Sequence, residues 1–189
     1  TLQDFAKSKK NKSQIVNRTW SKLHSQARLQ ADPSLGIEVH SIDTLNTIPE
    51  PNPGDIFYDF EGDPMWTDES GVAEGLEYLF GFVDINDQYT SLWAHDRDQE
   101  RTALIDFFEL VEKRWNDNPD FHIYHYASYE VTALKRLTVR HSYGEDFLDD
   151  LLRNRVFVDL YSIVRQSLRL PVKSYSIKKL EPFYMGEDL

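Results

Sequence analysis

With 189 residues, 40% of them hydrophobic and 13% aromatic, the chain can fold around one main core and cannot be classed with disordered polypeptides. It has no cysteine, which excludes a disulfide framework, thiolate zinc sites and a catalytic thiol, so any metal must be held by oxygen or imidazole. The net charge of -11 hides a division: residues 1–31 hold seven lysines and arginines against Asp4 alone, beside a strongly acidic remainder, a pattern compatible with nucleic-acid chemistry because a phosphodiesterase metal site is itself a carboxylate cluster.

Residues 1–31 scatter Leu2, Phe5, Ile15, Trp20, Leu23 and Leu29 among polar residues, with a polar break at residues 8–13, and predict two short helices forming a basic connector. Pro33, Gly36, Pro49, Pro51 and Pro53-Gly54 punctuate residues 32–53 as a linker. A compact domain is expected over 54–189. It opens on a buried strand, Ile56 to Phe60, closed by the turn Gly62-Asp63-Pro64. Strand-like runs follow at Glu77 to Val83 and Tyr89 to Ala94, joined by the turn-forming Asp84-Ile85-Asn86-Asp87, so three adjacent antiparallel strands are predicted.

From Asp98 to Asn116, apolar residues recur every three or four positions and predict an amphipathic helix that ends before Pro119. Phe121 to Tyr126 is a predicted fourth strand, Tyr129 to Arg140 a second helix, Phe147 to Leu152 part of a third, and Val156 to Leu160 a fifth strand. Tyr161 to Leu168 and Tyr175 to Tyr184 complete the order as helices separated by Pro171. Three strands followed by alternating helices and strands predict an α/β fold. Its mixed sheet has an antiparallel edge and parallel crossovers, with helices on its faces. No apolar run approaches the ~20 residues that span a bilayer, and a soluble, cytoplasmic protein is expected. A start at Thr1 and an end just past a helical stretch suggest a piece of something longer.

Asp59-Phe60-Glu61 is the feature that points to chemistry. Residues two apart on a strand project from the same face, so the two carboxylates converge, with Gly62 leaving room beside them. Hard divalent cations bind through a few such carboxylates together with substrate phosphate. Two solvent-facing acids at a strand terminus would give the same spelling. Glu130 lies at the start of the helix after the fourth strand, where the partial positive charge of the helix end favours an acid whether it caps the helix or joins a site.

Several separated stretches carry a family resemblance: Tyr58-Asp59-Phe60-Glu61-Gly62-Asp63-Pro64, Gly75 to Gly81, Tyr124-His125-Tyr126-Ala127-Ser128-Tyr129-Glu130, Val158-Asp159-Leu160-Tyr161 and Ser174 to Glu181. In this order they resemble the YprB-type ribonuclease-H-like domain of bacterial RecB-like nucleases, over roughly Gly54 to Tyr184. The resemblance implies a DEDD exonuclease fold in which Asp59 and Glu61 bind two Mg2+ or Mn2+ ions. The second motif's acid falls on Glu130, His125 stands where an Asn is usual, and Asp159 matches an acid beside the site. Tyr184 and Asp188 have the Tyr-x-x-x-Asp spacing of the last motif. The expected function is 3'-5' hydrolysis of single-stranded DNA or RNA ends, within a larger protein with further nuclease or helicase domains. The rival expectation is a non-catalytic module that binds nucleic acid or braces its neighbours.

Overall fold

The computed structural model describes residues 1–9, 15–69, 71 and 75–185. Its contacts group the chain into two units, residues 49–160 and residues 1–48 with 161–189.

In the unit of residues 49–160 a five-stranded sheet forms from β2 (Ile56–Asp63), β3 (Leu76–Asp84), β4 (Tyr89–Trp93), β5 (Ile123–His125) and β6 (Phe157–Asp159), in the order β4-β3-β2-β5-β6. β2, β3 and β4 pair antiparallel, as the sequence predicts, and the parallel part of the sheet is made by β2–β5 and β5–β6. Alternation along β2 separates its two faces. Ile56, Tyr58 and Phe60 are buried, while Phe57, Asp59 and Glu61 occupy the exposed face. Against the buried face lie α4 (Arg97–Asp117), α5 (Tyr129–His141) and α6 (Glu145–Arg153), contributing Leu104, Phe107, Val111, Leu134, Leu137 and Leu151 to one core. Tyr58 stacks on Phe107 with ring centroids 4.4 Å apart, and removing an aromatic from such a core typically costs about 3–5 kcal/mol.

The ends of these helices are also specified locally. Asp96 caps α4 by accepting the Gln99 amide hydrogen at 2.8 Å. Gly144, with φ +76°, leads into α6 directly against the Phe108 ring, where any Cβ would collide; the left-handed backbone and the close approach together require glycine.

Residues 1–48 and 161–189 contain α1 (Leu2–Lys7), α2 (Asn17–Ala31), a 3-10 turn at Pro33–Leu35, β1 (Glu38–Val39) and α3 (Ile42–Leu45). Then come α7, which begins at the unit boundary (Leu160–Ser167), β7 (Leu168–Arg169), α8 (Ile177–Leu180) and a 3-10 turn at Glu181–Phe183. β1 pairs antiparallel with β7, so ordered elements occur within the stretch expected as a linker. Among the described residues of this unit, Ala27, Leu29, Leu170 and Leu180 are the buried apolar ones. Side-chain amides of Gln26 and Gln30 on α2 donate to the carbonyls of Leu170 (2.8 Å) and Val172 (2.9 Å), satisfying irregular backbone that follows β7.

Two elements differ from expectation. β2 runs on to Asp63 instead of ending near Phe60, because Gly62 and Asp63 continue to pair with Glu77 and Leu76 across a bulge after Glu61. The helix expected over 175–184 shrinks to α8 and a 3-10 turn, since Pro182 offers no amide hydrogen to extend it. No helix among the described residues is long and apolar enough to cross a membrane.

Candidate metal centre

Asp59 and Glu61 share the exposed face of β2, opposite Gly81 and Leu79 of β3. They therefore lie within the strand, on the far side from the aromatic core, and not at the rim where a strand ending near Phe60 would have put them. The parallel pairing of β2 with β5 covers only Ile56 and Phe57, so Asp59 stands just past the point where the parallel strands separate. Ligands of α/β sheets characteristically bind outside such carboxyl ends.

β5 then delivers His125, and the next helix delivers Glu130 in its first turn, only 4% exposed. The three carboxylates interact. Partial burial pushes the Asp59 carboxyl above the ordinary carboxylate range, and the charges of Glu130 and Glu61 push it further. Neither Asp59 nor Glu61 is paired with a lysine or arginine among the described residues.

The backbone around Glu130 is held from two sides. The Ala127 carbonyl lies 2.6 Å from His125 Nδ1, so that nitrogen carries the hydrogen. The Ala127 amide donates to Asp159 Oδ1 at 3.0 Å. These bonds secure Ala127 in a left-handed conformation, φ +78°, which costs an alanine about 1–2 kcal/mol. His125 and Asp159 are register partners on β5 and β6, and together they set the entry of α5. His125 Nδ1 also stands 3.4 Å from Glu130 Oε2. That oxygen is buried and has no hydrogen-bond partner among the described residues, a costly condition for a carboxylate that a cation would relieve.

The donor set fits a hard divalent ion: oxygen only, anionic, mutually repelling, with one buried oxygen unsatisfied. Among the described residues, however, no three His, Asp or Glu side chains are gathered closely enough to hold an ion by themselves. Water and substrate phosphate would complete the coordination, as is usual for Mg2+. Tyr184 is exposed in the other unit, directly after its last 3-10 turn; Asp188 lies outside the described residues.

Sequence reasoning missed a second polar cluster. Glu100 of α4 is 0% exposed and accepts the Glu77 amide hydrogen at 2.8 Å, Arg97 at 2.9 Å, Arg140 at 3.1 Å and His141 Nε2 at 2.8 Å. Burial alone would raise its carboxyl, but the Glu77 amide, His141, Arg140 and Arg97 outweigh burial and hold it below the ordinary range. Glu77, also buried, pairs with Arg136 and accepts the Tyr129 hydroxyl at 3.0 Å. A Cβ at Gly62 would meet the Glu77 carboxylate and the Tyr129 hydroxyl, so the space that the sequence reserves for a ligand is occupied by these two side chains. Only the isolated acid at the head of an otherwise apolar strand could have signalled Glu77.

A family model described as RNase_H superfamily matches residues 56–188, beginning at the first residue of β2. No curated protein and no solved structure matches the chain.

Proposed function

The chain belongs to the RNase H superfamily, and from that premise we propose that it is a metal-dependent nuclease of the YprB-type, DEDD exonuclease-like group. It would hydrolyse phosphodiester bonds at single-stranded DNA or RNA ends in the 3'-5' direction. Asp59 and Glu61 would hold Mg2+ or Mn2+, with Glu130 as the third acid. The observation that carries this reading is that Asp59 and Glu61 share one face of β2, with the charges of Glu61 and Glu130 acting on Asp59 and no lysine or arginine paired with either β2 acid among the described residues. Bound divalent ions would neutralise that repulsion and supply Lewis-acid stabilisation of the scissile phosphate.

The chain's own residues do the positioning. β2 presents Asp59 and Glu61 on one face, two residues apart. His125 and Asp159 fix Ala127, and through it the first turn of α5, so that Glu130 is held beside Asp59. The exposed Phe57 ring, two residues before Asp59 on the same face and stacked on Tyr124 at 5.2 Å, offers apolar surface for an unstacked base.

A non-catalytic nucleic-acid-binding or bracing module is the second reading, favoured by the lack of a three-ligand cluster among the described residues. The two readings are separated by incubating 5'-labelled single-stranded DNA and RNA oligonucleotides with the protein and MnCl2. Catalysis predicts shortening from the 3' end that EDTA stops and that Asp59→Asn lowers at least 100-fold. A cleavage signal that survives Asp59→Asn would eliminate the assignment, and manganese calorimetry with no Asp59-dependent binding would favour the bracing role.

A further inference from the structure

Away from the carboxylates, the unit of residues 1–48 and 161–189 contains a cleft of about 820 Å3 with a cationic lining. One wall is α2, where Arg18 and Lys22 are four residues apart and therefore share a helix face. The other is α7, where Tyr161 and Arg165 have the same spacing; the guanidinium lies 5.8 Å from the Tyr161 ring centre and 3.4 Å from its hydroxyl. His40 and Arg169 close the cleft at the β1–β7 pair.

Arg169 is neutralised by Glu38 at 2.8 Å, and the same carboxylate accepts the Ser25 hydroxyl. Arg18, Lys22 and Arg165 have no acidic partner among the described residues. Burial holds His40 less basic than an ordinary histidine, and the charges of Arg169 and Lys22 hold it lower still. Positive groups thus face each other across an open cavity, and an anion would relieve their repulsion. The whole unit has the same bias, with twelve lysines and arginines against seven aspartates and glutamates.

We infer that this cleft binds the phosphate backbone of single-stranded nucleic acid through Arg18, Lys22 and Arg165, with Tyr161 lining the same cleft beside them. The inference rests on the nucleic-acid reading above, and it names a binding surface separate from the carboxylates. Spaced cations beside an aromatic ring form the usual sequence-tolerant grip on single strands. A 12-nucleotide fluorescent DNA or RNA strand, followed by anisotropy in EDTA, measures binding by the whole chain without cleavage.

The triple charge reversal Arg18→Glu, Lys22→Glu, Arg165→Glu is expected to weaken binding at least tenfold. The slope of log affinity against log salt should fall by about 2, at ~0.7 for each phosphate no longer neutralised. The milder Arg18→Gln, Lys22→Gln, Arg165→Gln set, with folding checked by circular dichroism, should show the same order of loss. Lys113→Glu, an exposed reversal on α4, should change little. Parental affinity in both triple variants, an equal loss from Lys113→Glu, or no strand binding by the parent would each overturn the inference, and none of these bears on whether Asp59 binds manganese.

Discussion

Replacing Asp59 by Asn should leave the metal-free protein as stable as the parent or slightly more so, while removing its response to manganese. In the absence of metal, partial burial holds the Asp59 carboxyl above the ordinary range, and the charges of Glu130 and Glu61 add to it. The native state therefore holds the Asp59 proton more tightly than the unfolded chain does. Between the ordinary value near 3.8 and the raised native value, stability falls as pH increases, and at neutral pH the full penalty applies. The side chain is only partly buried, so water screens much of the repulsion and the relief from Asn is about 0.5 kcal/mol. That corresponds to roughly 1–2 °C in Tm for a chain of this size. A bound ion acts in the opposite sense: at a hundredfold excess over Kd it stabilises the parent by about 2.7 kcal/mol, or roughly 5–11 °C. Thermal melts of both proteins at pH 7.5, in EDTA and across a MnCl2 titration, test the pair of signs. Asn at position 59 that clearly destabilises the protein in EDTA, or manganese shifts of the same size in both proteins, would refute the electrostatic account of the site.

Glu130→Gln removes one of the charges acting on Asp59, so the Asp59 carboxyl resonance should titrate at lower pH by NMR while manganese affinity falls about tenfold or more. Glu100→Gln leaves the Arg97 and Arg140 guanidiniums and the His141 ring around a neutral buried amide; urea denaturation should show a loss of about 3–5 kcal/mol. Because Glu100 is held below the ordinary carboxylate range, the parent should lose this contribution as pH drops below about 4.5 towards the native value, and the variant should melt with a flatter acid limb. Tyr58→Phe should be neutral or stabilising by up to about 1 kcal/mol, since the buried hydroxyl it deletes has no hydrogen-bond partner among the described residues; a loss above about 1.5 kcal/mol in urea would show that the hydroxyl is satisfied in solution.

Strands and helices were legible wherever periodicity coincided with burial. The alternation of Ile56, Tyr58 and Phe60 and the three- and four-residue spacing of Leu104, Phe107, Phe108 and Val111 mark the two sides of the same core, and the sheet assembled in the predicted mixed order. The same alternation placed Asp59 and Glu61 together on one face, but it could not say how far β2 would run, since that depends on pairing with β3 after a bulge. Periodicity also could not find Glu100, which lies on the buried side of α4 because Arg97, Arg140 and His141 converge on it from α4 and α5. Two of those three partners are 40 or more residues away in the chain, so no local pattern encodes the cluster. Residues 32–53 looked like a linker through their prolines and glycines, yet Glu38 and Val39 pair with Arg169 and Leu168, again a partner distant in sequence.

The division of charge between the units bears on how an acidic protein can handle a polyanion. Residues 49–160 contain nine lysines and arginines against twenty-five aspartates and glutamates, so their carboxylate cluster lies in a field that disfavours phosphate as strongly as it favours divalent cations. On the proposed reading, metal ions would offset that field only locally, at the bond being cut. A strand that is also held elsewhere needs cations outside this unit, and Arg18, Lys22 and Arg165, with no acidic partner among the described residues, would meet that need on the inference above. Strand affinity should therefore be strongly salt-dependent and nearly indifferent to manganese, whereas cleavage should depend on both. Charge changes in the cleft would act on KM and substitutions at Asp59 on kcat, a split that one shared site could not produce.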